Sequence, residues 1–283
     1  VTETQHLYGD QENPCFFPSY TVNGQSILFT KSGYTGLWLM DRSELFISKI
    51  TDARGAGFYP VSLDNGTIIF RQDDYRSGRK YTSIHTQRDQ STHEISEPKR
   101  FVSDLNLSGD HLLFMAGSNI AAFNHVSESP ETGRVGMVGL FNDKLTLKLL
   151  QNGSTTSIKP KGDGQYIWGA LSPDQSLIVF TKVAQGTFVC DLEGKIVAEI
   201  GYAHAPQWSP DGRFLVYMKD IDDGNQFLSS EIWVSAADGT KNWKLTDTDD
   251  RIEMYPQWSP DGSQVIYHSL VGELFQTTLE IAD

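Results

Sequence analysis

Apolar and polar residues alternate in short runs along nearly the whole chain, and helical 3.6-residue periodicity is almost absent. GLWLM at 36–40, LTLKLLQNGSTTSI at 145–158 and FVCDLEGKIVAEI at 188–200 all read with a period of two. EIWVSAADGTKNWKLT at 231–246 does so on either side of an Asp238-Gly239 pair. A period of two predicts half-buried strands, and Asp-Gly between two such runs predicts a tight hairpin. The chain is therefore expected to be all-β.

The alternation belongs to a larger repeat. PQWSPDGRFLVY at 206–217 returns as PQWSPDGSQVIY at 256–267, and PSYTVNGQSILF at 18–29 keeps each polar and apolar class. Weaker copies are PVSLDNGTIIF at 60–70, GALSPDQSLIVF at 169–180 and LNLSGDHLLF at 105–114. Each copy is followed by a further hairpin, so one unit reads as a four-stranded antiparallel sheet. Repeats of this length mark propellers and solenoids. Pro-Asp-Gly supplies the turn, with Gly free to take positive φ, while Trp208 and Trp258 offer large apolar surfaces for packing between sheets.

The frame positions Pro18, Pro60, Leu105, Gly169, Pro206 and Pro256 are separated by 42, 45, 64, 37 and 50 residues. These spacings predict a six-bladed β-propeller with blades at 14–52, 57–97, 101–160, 165–200, 203–247 and 253–283 plus 1–9. The long third interval is expected to carry an insertion near 117–141, and a seventh degenerate blade in that stretch is the alternative. Leu7 precedes Pro18 by 11 residues, as Leu245 precedes Pro256. Residues 3–9 are therefore expected to form the outer strand of the last blade and close the ring.

The WSPDG unit with an IWV-x-x-x-DG hairpin behind it resembles the repeats of TolB-like propellers, over nearly the whole chain. Related repeats occur in prolyl-oligopeptidase-like enzymes, tricorn-type proteases and oligogalacturonate lyases. TolB carries an α/β domain before its propeller, for which this chain has no room. The resemblance implies a non-enzymatic scaffold that binds a protein or peptide in the periplasm or outside the cell. Its alternative is a carbohydrate-active or carbohydrate-binding propeller, like the oligogalacturonate lyases, with a metal in the channel.

Charge narrows the partners. The formal net charge is −13, which repels nucleic-acid phosphates and suits a basic partner. No apolar run is long enough for a membrane-spanning helix. No targeting segment is visible, and the chain opens on Val1, which accommodates a removed leader. Cys15 and Cys190 fall on opposite sides of the expected ring, too far apart for a bridge. A monomer without a cofactor is expected.

Candidate chemistry is sparse. No Gly-x-Ser-x-Gly string marks a hydrolase nucleophile. His85 and His93 are the one close histidine pair, across an outer hairpin. Asp220, Asp222 and Asp223 form an acidic loop that is a weak candidate for calcium, with manganese the other metal considered. DTDDRIE at 247–253 reads as a solvated acidic face. The most informative positions directly precede the frame: Phe17, Tyr59, Asp104, Trp168, Ala205 and Tyr255, with Phe16, Phe58, Ser103, Ile167, His204 and Met254 one step earlier. In a propeller these converge on one mouth of the channel. Phe17, Tyr59, Asp104, Trp168, His204 and Tyr255 are thus the expected ligand-binding set, as a platform for a peptide or sugar or as packing between blades.

Overall fold

The computed structural model describes residues 3–131, 133 and 136–280. Its first strand, β1 (Glu3–Tyr8), belongs to the last sheet. Blade 1 holds β2 (Phe16–Tyr20), β3 (Ser26–Lys31), β4 (Thr35–Asp41) and β5 (Ile47–Arg54), with a 3-10 turn at Ser32–Tyr34. Blade 2 holds β6 (Val61–Ser62), β7 (Ile68–Arg76), β8 (Arg79–Arg88) and β9 (Ser91–Glu94). Blade 3 holds β10 (Asn106–Ser108), β11 (His111–Ala116), β12 (Asn119–Asn124) and β13 (Ser129–Glu131). Blade 4 holds β14 (Gly139–Asp143), β15 (Thr146–Gln151) and β16 (Ser154–Ile158). Blade 5 holds β17 (Tyr166–Leu171), β18 (Leu177–Lys182), β19 (Gly186–Asp191) and β20 (Ile196–Gly201). Blade 6 holds β21 (His204–Trp208), β22 (Phe214–Asp222), β23 (Phe227–Ala236) and β24 (Asn242–Lys244). Blade 7 holds β25 (Glu253–Trp258), β26 (Gln264–Ser269) and β27 (Leu274–Thr278), and β1 completes it.

The propeller therefore has seven blades among the described residues, not the expected six. The stretch 101–160 holds two sheets where one blade with an insertion was expected, so the alternative count is the one observed. The reason is turn chemistry. Blade 3 replaces the Ser-Pro-Asp-Gly turn by a two-residue Gly109-Asp110 hairpin, with Ser108 opposite His111. Blade 4 turns through Lys144 and Leu145, both left-handed at φ 49° and 64°, with Asp143 opposite Thr146. Blade 3 keeps Ser108 and Asp110 but not the Pro, whereas blade 4 keeps neither Ser, Pro nor Gly at its turn, so blade 4 has no visible anchor.

Closure follows the expected route. β1 runs antiparallel to β27, with Glu3 opposite Thr278 and Gln5 opposite Gln276. The core confirms the count. Seven buried clusters lie between blades rather than within them: Leu28, Leu37 and Phe70 between blades 1 and 2, Leu113, Phe141 and Leu150 between 3 and 4, and so around to Phe29 and Ile266 between 1 and 7. Each face of a blade is apolar because each is covered, which is why strands such as SILFTK and LIVFTK read as continuous apolar runs.

In the intact repeats the motif works as a clasp. Ser259 donates its hydroxyl to Asp261 at 2.6 Å and accepts the Gln264 amide at 2.9 Å, while Asp261 accepts the Ser263 amide at 3.0 Å. Ser209 and Asp211 repeat this in blade 6, Ser172 and Asp174 in blade 5, and Thr21 and Asn23 in blade 1. The clasp also reaches sideways. A Cβ on Gly212 would touch Pro173, one on Gly262 would touch Pro210, and one on Gly24 would touch Pro260. The proline of each turn thus rests on the glycine of the next blade, and the last of these contacts spans the closure. The Trp208 indole donates to the Ala170 carbonyl at 3.2 Å, and the Trp258 indole to the Gln207 carbonyl at 3.3 Å. Cys15 and Cys190 are buried free thiols in different blades.

Candidate functional site

The first strands of the blades line the channel, with β25 against β2 at the closure. In four of the seven the backbone just inside the entry is irregular in the same way. Phe16 to Ser19 advances three residues while their partners Thr30 to Leu28 advance two, and the same slip occurs at Ile167/Ala170, His204/Gln207 and Met254/Gln257. One extra residue per strand is a β-bulge, which bends the strand and re-aims a side chain. The residue that absorbs it is left-handed: Phe17 (φ 50°), Trp168 (φ 53°), Ala205 (φ 47°) and Tyr255 (φ 51°), joined by Tyr59 (φ 47°) just before β6. For a bulky residue this conformation costs roughly 1–2 kcal/mol. These are five of the six positions read from the sequence as the mouth, and four of the five are aromatic.

Around the mouth the rings form an unbroken arc over blades 7, 1 and 2. His268 stacks on Tyr255 with centroids 5.6 Å apart, Tyr255 meets Phe17 at 4.8 Å, and Phe17 stacks on Tyr34 at 4.5 Å. Tyr34 meets Phe58 at 5.0 Å, and Phe58 meets Tyr59 at 4.9 Å. Such spacings are attractive offset or edge-on contacts. Burial pushes the Tyr34 phenol up to about 12. Tyr59 keeps 39% of its surface exposed, yet enclosure among its neighbours, followed by the nearby Asp104 carboxylate, raises its phenol as well.

The arc gives way to a polar seam over blades 2 to 5. The buried Arg71 guanidinium sits over the Phe58 ring at 4.6 Å, donates to the Val102 and Ser103 carbonyls, and lies 3.6 Å from Asp104. Asn142 of blade 4 donates to Asp104 at 2.9 Å and to the Gly169 carbonyl at 3.1 Å, and accepts the Gly169 amide at 3.0 Å. Three blades are thereby tied at the mouth by one side chain. A second, shorter group follows: Trp168 meets His204 at 4.9 Å, His204 meets Tyr202 at 4.4 Å, and His204 Nδ1 lies 2.7 Å from the buried Asp220 carboxylate. Tyr202 donates to the other Asp220 oxygen at 3.3 Å.

The structure thus joins Phe17 to Tyr255 directly and Trp168 to His204, sets Tyr59 at the end of the arc, and places Asp104 in the polar seam. Sequence reading missed Tyr34, Arg71, Asn142, Tyr202 and His268. None lies at the pre-frame position: Arg71 and His268 come from second strands, Tyr34 from the turn after one, Tyr202 from the loop before β21, and Asn142 from β14 of the blade that has no anchor. The metal candidates do not gather. Asp220 turns to His204, while Asp222 accepts the Gly224 amide and Asp223 those of Asn225 and Gln226 at the hairpin tip. His85 lies opposite Glu94 and His93 opposite Thr86, so the two rings take opposite faces of the sheet. Among the described residues no group of three or more His, Cys, Asp and Glu side chains is placed to hold a metal ion.

No protein-family model matches this sequence, and no curated protein matches it. Solved structures do match in fold. A chain of the mitotic checkpoint complex is similar over 99% of this protein and 94% of itself, at 11% identity and a TM-score of 0.62. TolB from Acinetobacter baumannii is similar over 87% of this protein and 57% of itself, at 17% identity and a TM-score of 0.54. An oligogalacturonate lyase from Vibrio parahaemolyticus is similar over 97% and 80%, at 12% identity and a TM-score of 0.50. The protein is a β-propeller similar to all three, and at these identities the likeness is one of fold.

Proposed function

We propose that this propeller is a non-enzymatic binding module that acts outside the cytoplasm and grips a protein or peptide at the channel mouth. The observation that carries this reading is the repeated bulge. Four aromatic side chains occupy left-handed backbone at equivalent positions, and strain repeated at one functional face is evidence of use. The bulge alone is a feature of the fold, since Ala205 shares it. Its aromatic occupancy is not required by the turn. Aromatic rings with a neighbouring polar seam are the composition of binding pockets and of interface anchors.

The test is selection of peptides from a random displayed library on the full chain, followed by affinity measurement on Tyr255→Ala and Trp168→Ala. Loss of an anchoring ring is expected to cost about 2 kcal/mol, roughly thirtyfold in Kd. Selected peptides that bind both variants as tightly as the parent would remove the mouth from the proposal.

A further inference from the structure

Blade 4 is the one blade with three strands among the described residues. Only residues 159–165 separate Ile158 from Tyr166, the start of the next blade, so the chain passes on without laying a strand beside β16. β16 pairs with β15 alone, Leu147 opposite Ile158 through Gln151 opposite Ser154. Its other edge, and the exposed side chains Ser154 to Ser157, stand where each other blade carries a fourth strand.

Exposed edges are normally guarded by charge or proline, because an unpaired row of amides and carbonyls is a template for another strand. The outer strands of the other six blades are guarded: Lys49 and Asp52 in β5, Glu94 in β9, Pro130 in β13, Glu199 in β20, Lys244 in β24 and Glu3 in β1. β16 reads STTSI, with neither. Its paired threonines favour strand addition.

The surroundings of this edge select the kind of partner. From Lys144 to Lys161 the chain has four lysines and no acidic residue, in a protein of net charge −13. Lys148 is taken up by Asp143 at 2.6 Å. Lys159 and Lys161 are exposed just beyond the end of β16, Lys159 in a surface pair with Asp163 and Lys161 over the Phe188 ring, while Lys144 is exposed in the β14–β15 turn. A second copy would set two lysine-rich edges against each other, under the repulsion of two acidic proteins.

We propose that the outer edge of β16 is a docking site that accepts an extended acidic segment of a partner polypeptide as the fourth, antiparallel strand of blade 4. Main-chain hydrogen bonds supply the attachment, and pairing with the flanking lysines supplies the choice of an acidic strand. The site is on the outer rim and stands independently of the mouth.

The probe is a labelled decapeptide of alternating Val and Glu, titrated onto the full chain, with a Val and Lys decapeptide as its control. Saturable binding of the acidic peptide is expected, weakening as salt is raised, with slowed amide exchange confined to 154–158. Lys159→Glu with Lys161→Glu should weaken it by roughly tenfold while leaving the β15–β16 pairing intact. The proposal is overturned by absence of binding, by equal binding of the lysine peptide, by protection elsewhere than β16, or by a concentration-dependent dimer that protects the same amides.

Discussion

Blades 6 and 7 differ from blades 3 and 4 in how they make the same hairpin. In blades 6 and 7 a hydroxyl and a carboxylate hold a four-residue turn, its proline rests against the next blade, and a tryptophan reaches back to the preceding one. In blades 3 and 4 the turn is two residues of backbone, and the sheets are positioned by apolar packing through Leu113, Phe141 and Leu150. The two designs occupy equivalent places in one ring. The motif is thus one local solution to a turn that the sheet can also make without it, and the stacking of apolar faces is what every blade shares.

The strongest way to break this comparison is to hollow both regions. Trp258→Ala removes an indole that is 8% exposed and its hydrogen bond to Gln207, and Phe141→Ala empties a fully buried site in blade 4. Each is expected to cost about 3–5 kcal/mol in a denaturant melt. A cost below about 1 kcal/mol for Phe141→Ala would show that the motif-poor blades are loosely attached.

Acidity sharpens the difference next, because blade 7 also buries two titratable groups. Burial pushes Glu253 up to about 7 and His268 down to about 4. Glu253 therefore contributes stability at low pH that is lost as pH rises through about 7. His268 contributes stability at high pH that is lost as pH falls from about 6.5 towards 4. The two oppose each other across the mildly acidic range. Glu253→Gln should expose the histidine and lose about 3 kcal/mol on acidification through that range, and His268→Gln should reverse the slope by a similar amount. Chemical denaturation of both variants at a series of pH values reads the signs; parallel slopes would refute them.

The smallest effect compares the turns themselves. Asp261→Ala removes the acceptor of the Ser259 hydroxyl and the Ser263 amide and is expected to destabilise by about 1–2 kcal/mol. Lys144→Asn with Leu145→Gly repairs a turn whose two residues sit at positive φ, and should stabilise by about 1 kcal/mol. Thermal melts suffice. A stabilised Asp261→Ala or a destabilised blade 4 repair would mean that turn chemistry does not distinguish the two regions.

Much of this could be read from the residues. The pairing of residues 3–8 with the last blade followed from matching Leu7 to Leu245, because a ring needs its outer strand at one fixed distance from the frame. The equivalence of Phe17, Tyr59, Trp168 and Tyr255, which share a left-handed backbone, followed for the same reason, since each precedes its frame residue by one. The blade count did not follow. Gly109-Asp110 still sits in a worn copy of the frame, but Lys144-Leu145 makes a hairpin without the turn residues that announce one, so the alternation of blade 4 carries no anchor of its own.

The amino-acid order by itself determined the strand class, the clasped turns and the pairing of the two ends, because each depends on side chains and backbone within a few residues or on a fixed repeat. Tertiary structure decided that seven blades close the circle, since that depends on how the apolar faces of Leu113, Phe141 and their neighbours stack. It also decided the neighbours at the mouth. Tyr255 meets Phe17, Tyr34 meets Phe58 and Trp168 meets His204 only because the ring sets neighbouring blades side by side at one opening. No local pattern along the chain records that convergence.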